Sequence, residues 1–119
     1  HAVAPVPLGP AEIERPLRGW NGVIGADALG VLRFDEDAQT IEPIVYVPST
    51  DSAVWERGCG SGTAALGCWL AHRESRSYRA PIRQPGGEID VSVSVQNGKI
   101  SGVEITGTVR ITALGTAFV

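Results

Sequence analysis

The feature that most constrains the fold is a strict alternation of apolar and polar residues in the last third of the chain. From Ile89 to Gln96 the sequence reads IDVSVSVQ, with an apolar residue at every second position. A period of two places the apolar side chains on one face of an extended strand, so a half-buried β-strand is predicted. Asn97-Gly98 follows directly and is typical of a tight hairpin turn. Further apolar residues predict one or two more strands up to the C-terminus: Val103, Ile105, Val109 and Ile111.

Shorter apolar runs predict strands in the first half of the chain. They are ALGVLRF at 28–34, IEPIVYV at 41–47 and SAVWER at 52–57. The apolar run at 1–6 is interrupted by proline, which suits an edge strand. The segment that follows Pro10 looks helical in parts.

A strand, a glycine-rich turn and a helix follow one another over residues 55–71, WERGCGSGTAALGCWLA. Small and apolar residues continue from Ser61 to about Arg73 and predict a largely buried helix. We therefore predict an α+β fold, with six to eight mostly antiparallel strands wrapped around this central helix and a weaker helix near the N-terminus. The 119 residues contain no linker or repeat, so residues 1–119 are predicted to form a single domain.

Charge and hydropathy limit the partners of this chain. The 13 acidic and 10 basic residues give a net charge of −3 without any basic block, which argues against nucleic acid as a partner. No apolar run approaches the roughly 18 residues of a membrane span, and the first residues lack the features of a signal peptide. We expect a cytoplasmic protein with a small molecule or another protein as its partner, and with no membrane association.

The glycine-rich turn contains the main candidate for chemistry, Cys59. Gly58, Gly60 and Gly62 permit close approach of a ligand, and the first N–H groups of a helix favour an anion. The absence of a lysine after the turn excludes a phosphate loop, so a carboxylate fits better. A thiol at the positive end of a helix ionises readily and can act as nucleophile, acid or base. A small buried residue in a tight turn is an equally good interpretation of Cys59 taken alone.

The remaining candidates fit chemistry less well. Cys68 lies in the middle of the predicted helix and is expected to pack in the core, about 13 Å from Cys59 along the helix and too far for a disulfide. His72 is thirteen residues beyond Cys59 and His1 is terminal, so no Cys-His pair is expected. The cysteines and histidines match no zinc spacing, and no metal is expected.

Glu56 and Arg57 precede the glycines at the end of a predicted strand. Alternation turns only one of the two side chains toward the concave side of the turn. A carboxylate in that position could bind an ammonium group, and a surface ion pair is the alternative interpretation.

The sequence as a whole resembles the diaminopimelate epimerase superfamily of cofactor-independent amino-acid racemases and epimerases. The similarity rests on WERGCGSGTAA and on PGGEIDVSVSVQNGKISGVEITG, and it extends from about Val31 to the end, as in the C-terminal half of such proteins. Only Gly58 separates Glu56-Arg57 from Cys59. With IEPIVYVPSTDSAVWE upstream, this short form is most similar to the histidine-racemase branch of opine metallophore synthesis.

The resemblance implies a mechanism and a set of site residues. Members of the superfamily have two similar halves, each with one cysteine, and this chain has the length of one half. Cys59 would exchange the α-proton on one face of a free amino acid, and a cysteine from a missing N-terminal half or a partner chain would act on the other face. The only lysine, Lys99, is not placed to hold pyridoxal phosphate, so no cofactor is expected. The substrate-binding residues would be Glu56, Arg57, Gly60, Ser61, Gly62 and Thr63.

On this interpretation the chain is an isomerase domain that is inactive when isolated. A second copy of the chain, in a homodimer, is a further possible partner. The alternative is a non-catalytic domain of the same fold that binds an amino acid or another anion at the helix end. A matched half that carries a second cysteine would distinguish the two. An isomerase with a different acid-base residue is disfavoured by the presence of Cys59.

Overall fold

The computed structural model describes residues 1–5 and 8–117 and has an α+β fold. Seven strands form one curled, mixed sheet, and α-helices pack on both of its faces. The strands are β1 Ala2–Pro5, β2 Leu29–Asp35, β3 Thr40–Val47, β4 Ser52–Trp55, β5 Tyr78–Gln84, β6 Gly87–Gln96 and β7 Lys99–Gly107. The helices are α1 Pro10–Glu14, α2 Leu17–Ile24 and α3 Gly60–Glu74, and a 3-10 turn spans Pro48–Thr50.

The sheet has the order β1-β2-β3-β5-β6-β7, with β4 also paired to β3. β1 pairs parallel with β2 and β3 pairs parallel with β5, while the other four pairings are antiparallel. The backbone pairing between β3 and β5 is a single residue pair, Thr40 and Arg83. The Arg83 N–H donates to the Gln39 carbonyl oxygen at 3.0 Å and supports this pair. The sheet therefore consists of two parts, β1–β4 and β5–β7, that meet at a narrow seam.

Strand β2 is buried on both faces because different helices cover each side. Leu32 and Phe34 pack with Leu66 and Leu70 of α3 in one core cluster. On the opposite face, a second cluster contains Ile13, Leu17, Leu29, Val31, Ile44 and Tyr46. The first cluster also includes Ile82 of β5 and Val91 and Val93 of β6, so α3 packs against both parts of the sheet.

Helix α3 has specific interactions at its two ends. Cys59 is its N-cap, and Ser75 ends it in the left-handed conformation with φ 53°. Near this end, Arg73 donates to both carboxylate oxygens of Glu36, at 3.0 and 2.6 Å. The hydrogen bond from Arg73 lowers the pKa of Glu36. The C-terminal end of α3 is thereby tied to the turn that joins β2 and β3.

The N-terminal half agrees with the predicted elements in outline. The run at 1–6 forms β1, and Val6 lies outside the described residues. The helical segment after Pro10 is divided into α1 and α2 at Pro16, and α2 ends at Gly25 with φ 68°. None of the helices in the described part of the chain has the length and apolar character that a membrane crossing requires.

The hairpin of β6 and β7 is confirmed, with positive φ angles at both Asn97 (52°) and Gly98 (72°) as a two-residue turn of this kind requires. The prediction of a strand at Val109 and Ile111 is wrong. Residues 108–117 contain no helix or strand: they form no backbone ladder with the free edge of β7 or with any other described strand, and alternation alone does not make a strand. Val109 is 93% exposed and Ile111 is 74% exposed.

Candidate functional site

Cys59 joins the end of β4 to the start of α3 through the predicted glycine-rich turn. Its backbone is extended, with φ −135° and ψ 100°, and its Sγ accepts a hydrogen bond from the Gly62 N–H at 3.3 Å. The sulfur thus caps the helix as a serine or aspartate oxygen usually does. Cys59 is only 6% exposed, and it is a free thiol, as is the half-buried Cys68. The Gly62 N–H therefore holds the Cys59 sulfur at the N-terminus of α3.

Gln84, the last residue of β5, holds the Cys59 turn in place. Its Oε1 accepts from the Cys59 N–H at 2.7 Å, and its Nε2 donates to Thr63 Oγ1 at the same distance. The Thr63 hydroxyl in turn donates to the Cys59 carbonyl oxygen at 2.8 Å. These contacts form a closed ring of hydrogen bonds around the first turn of α3. Sequence reasoning missed Gln84 because it belongs to no motif and β5 was not predicted.

We expect Gln84→Leu to lower the free energy of unfolding by about 2 kcal/mol. The Cys59 N–H and the fully buried Thr63 hydroxyl would each lose a partner, while a leucine would keep most of the side-chain volume. Urea denaturation followed by circular dichroism measures the change. Gln96→Leu, at the exposed end of β6, is the matched control and should stay within about 0.5 kcal/mol of the wild type. Equal effects of both variants would contradict this account of Gln84.

The Pro85-Gly86-Gly87 turn packs directly against Arg57. The Gly86 N–H donates to the Arg57 carbonyl oxygen at 2.5 Å, and a Cβ at Gly86 would lie 2.7 Å from that oxygen. Gly87 has φ 147°, in the region that favours glycine. Close packing therefore requires a glycine at position 86, and the backbone conformation favours one at position 87. The turn links the glycine-rich motif to the β5–β6 hairpin.

Four backbone N–H groups are predicted to bind a carboxylate, those of Gly60, Ser61, Gly62 and Thr63, and they fall into two pairs. Those of Gly62 and Thr63 donate to Cys59, the first to its Sγ and the second to its carbonyl oxygen at 2.9 Å. Those of Gly60 and Ser61 have no hydrogen-bond partner among the residues that the structure describes. A Cβ at Gly60 would lie 2.9 Å from Ile105 Cδ1, so β7 closes one side of this helix end.

Glu56 and Arg57 lie beside two neighbouring cavities. One, of about 300 Å³, is lined by both residues together with Trp55 and Pro85. The other, of about 500 Å³, is lined by Arg57, Gly58, Gln84 and residues of β6, β7 and the segment after β7. Arg57 lines both cavities, whereas Glu56 lines only the smaller one. Within the described ranges, no three His, Cys, Asp or Glu side chains are grouped as a metal site would require.

The structure also brings His1 to the site, although sequence reasoning set it aside as terminal. His1 Nε2 lies 3.1 Å from Ser61 Oγ, and Ser61 Oγ lies 3.5 Å from Cys59 Sγ. The parallel pairing of β1 with β2 carries His1 beside the start of α3. Gly30, within the predicted strand 28–34, was the available signal, because a glycine inside a strand often marks a close approach by another group. A Cβ at Gly30 would lie 1.8 Å from His1 Nδ1.

The sequence of residues 11–118 matches the family described as the histidine racemase CntK N-terminal domain, and the chain belongs to this family. It is 33% identical over 92 residues to a histidine racemase of Staphylococcus aureus (strain Mu50). The aligned region covers 76% of this chain and 34% of that protein. A histidine racemase of Fusobacterium nucleatum subsp. nucleatum is 34% identical over 92 residues, with 77% and 33% covered. One from a second strain of that subspecies is 38% identical over 85 residues, with 71% and 32% covered.

The family match and these relatives confirm the resemblance to the histidine-racemase branch. The chain spans about a third of the length of each relative. The matching family is described as an N-terminal domain. The correspondence of this chain to the C-terminal half of a two-half racemase stays a prediction.

Proposed function

We propose that this chain is one part of a cofactor-independent amino-acid racemase in which Cys59 exchanges the α-proton of the substrate. The observation that carries the proposal is the cap geometry, in which the Cys59 sulfur accepts the Gly62 N–H at the N-terminus of α3. The relatives are named histidine racemases, and on that basis we propose histidine as the substrate.

The helix end supplies the electrostatics of the proposed reaction. The unpaired N–H groups of Gly60 and Ser61 would receive the substrate carboxylate, and those of Gly62 and Thr63 complete the positive end of the helix dipole. Removal of the α-proton develops negative charge next to this carboxylate, where fixed dipoles stabilise it most. Glu56 would accept from the substrate ammonium group, and Arg57 would contact the substrate from the wall that the two cavities share.

Inversion needs a second acid-base group, which we propose is a cysteine of a complementary half. One thiol on one side of the α-carbon cannot both remove a proton and return it to the opposite face. The lengths of the relatives leave room for such a half. A homodimer remains the alternative source of the second thiol.

An apolar surface beside the site suits this complementary half. Ile105 is 44% exposed and Val109 is 93% exposed, and both line the larger cavity. Large exposed apolar patches mark interaction sites. We propose that the complementary half covers them and excludes water from Cys59, which strengthens the electrostatic interactions there. In this arrangement α3 is the central helix of a half with the diaminopimelate epimerase fold, in a cytoplasmic enzyme.

A non-catalytic amino-acid-binding domain is the second candidate, favoured by one observation. Cys59 is 6% exposed and its sulfur already has a structural role as the helix cap. In that case the helix end would bind a carboxylate and the thiol would not react.

Proton NMR in D₂O distinguishes the two candidates. We expect the chain alone, incubated with L-histidine or D-histidine, to show neither deuterium incorporation at the α-carbon nor inversion. A protein that joins it to the complementary part of a histidine racemase should show both. If the joined protein folds and binds histidine but exchanges no α-proton, the binding domain is the better description.

A further inference from the structure

A charged cavity of about 510 Å³ lies at the seam between the two parts of the sheet. Thr40 of β3 pairs with Asp35 of β2 on one side and with Arg83 of β5 on the other, so this seam cavity spans both parts. The proposed reaction gives the seam cavity no role. The polar side chains that line it are Arg33, Asp35, Thr40, Glu42, Arg83 and Gln84.

The seam cavity lies on the face of the sheet opposite α3. Phe34 and Ile82 pack in the α3 cluster, so alternation turns Asp35 and Arg83 to the other face. Helices α1 and α2 cover that face at the other end of β2, around Val31. Because the helices end there, the charged side chains beyond them are left accessible to a ligand.

The four charged side chains of the seam cavity differ in how they are paired. Arg33 and Glu42 form an ion pair with each other. Asp35 accepts from the Ala38 N–H at 3.0 Å, and Arg83 donates to the Ala38 carbonyl oxygen at 2.7 Å. In the part of the chain that the structure describes, neither Asp35 nor Arg83 forms an ion pair. One carboxylate and one guanidinium are therefore available to a ligand.

A ligand that carries both an ammonium and a carboxylate group matches these two charges. A simple anion at Arg83 would be repelled by Asp35, and a simple cation at Asp35 would be repelled by Arg83. Strands about 4.8 Å apart place the Cα atoms of Asp35 and Arg83 about 10 Å apart, with Thr40 between them. Two charge-assisted hydrogen bonds of about 2.8 Å each then leave room for one small molecule between the two side chains.

We propose that the seam cavity is a second binding site, for a free α-amino acid. The ammonium group of the ligand would donate to Asp35, and its carboxylate would accept from Arg83. This site is separate from the N-terminus of α3, because the sheet lies between them. The two sites are nevertheless neighbours, since Gln84 lines the seam cavity and also accepts from the Cys59 N–H. The inference does not depend on the proposed racemisation.

Two-dimensional ¹H–¹⁵N NMR of the chain, titrated with L-leucine, tests the proposal. The side chain of leucine is uncharged, so the titration reports on the ammonium and carboxylate groups alone. We expect L-leucine to shift the backbone amide signals of Thr40 and Arg83. N-acetyl-L-leucine lacks the ammonium charge and L-leucinamide lacks the carboxylate. Each of these analogues should bind the seam cavity at least about tenfold more weakly, because it loses a hydrogen bond between charged groups.

Two substitutions remove the proposed contacts one at a time. Asp35→Asn keeps an oxygen that can accept from the Ala38 N–H, so the turn between β2 and β3 should be retained. This variant and Arg83→Gln should each bind L-leucine about tenfold more weakly than the wild type. Arg79→Gln is the matched control, because Arg79 is exposed on the same strand and lines a different cavity. Its affinity should stay within about twofold of the wild type. The same spectra verify that each variant is folded.

Two results would overturn the proposal. One is that L-leucine and both analogues shift Thr40 and Arg83 equally, and the other is that Asp35→Asn and Arg83→Gln bind L-leucine as the wild type does. The signals of Gly60 and Ser61 report binding at the helix end in the same spectra. If L-leucine shifts only those two signals, the seam cavity is not an amino-acid site. If the D₂O experiment fails while Thr40 and Arg83 respond as expected, the proposed function is wrong and the second site remains.

Discussion

Cys59→Ser is expected to lower α-proton exchange of histidine by about 10³-fold or more in a racemase that contains this domain and its complementary half. A serine hydroxyl is a much weaker acid than a thiol and cannot supply the base. It is also a good helix cap, so the Gly62 N–H keeps an acceptor and the fold should be retained. Proton NMR in D₂O gives the exchange rate for each enantiomer.

Cys68→Ser is the matched control for this substitution. Cys68 lies on α3, is half-buried and is a free thiol, so the two variants differ in position and not in chemistry. Its exchange rate should remain within about threefold of the wild type. If α-proton exchange survives in Cys59→Ser and is lost in Cys68→Ser, the reacting thiol is Cys68, and the proposed role of Cys59 is wrong.

Gly67→Leu is expected to lower the free energy of unfolding by about 3 kcal/mol. A Cβ at Gly67 would lie 2.6 Å from Val91 Cγ2 and 3.1 Å from Val93 Cγ2, so α3 approaches β6 at this point without space for a side chain. Leucine favours helix over glycine by up to about 1 kcal/mol, and that gain is smaller than the cost of overpacking. Urea denaturation of the isolated chain measures the difference.

Gly22→Leu is the control for helix propensity. Gly22 lies in α2 with nothing within 4 Å of the position that a Cβ would occupy. This variant should be as stable as the wild type or more stable, by less than about 1 kcal/mol. Adding Val91→Ala to Gly67→Leu should recover part of the loss, because the two residues are in direct contact. Equal stability of the two glycine variants would show that α3 and β6 are not tightly packed.

The sequence predicted the helices and strands that are specified by residues close together along the chain. The alternation from Ile89 and the Asn97-Gly98 turn predicted the hairpin, since both act through neighbouring backbone. Cys59 was placed correctly at the start of a helix, because the change from glycines to small apolar residues marks that boundary. β5 was missed because Pro81 and three polar residues break its pattern, although tertiary pairing with β6 makes it a strand.

The parts of the site that escaped prediction depend on contacts between distant segments. Gln84 reaches Cys59 across 25 residues and His1 reaches Ser61 across 60, and neither distance leaves a periodic signal. The pattern at Val109 and Ile111 shows the opposite case. Alternation there specifies which face would be buried, but a strand also needs a backbone ladder, and this segment forms none with the described strands.

The narrow seam between β3 and β5 gives ligand binding at the helix end a thermodynamic consequence. Cys59 follows β4 in one part of the sheet, and Gln84 ends β5 in the other, next to the single pair of Thr40 and Arg83. A local opening of the seam that withdraws Gln84 would release the Cys59 N–H and loosen the start of α3. A ligand that binds only the intact helix end must therefore shift the opening equilibrium toward the closed state, by the linkage between binding and stability. The same coupling would run in reverse, so cross-strand contacts at Thr40 would contribute to the affinity for such a ligand without touching it.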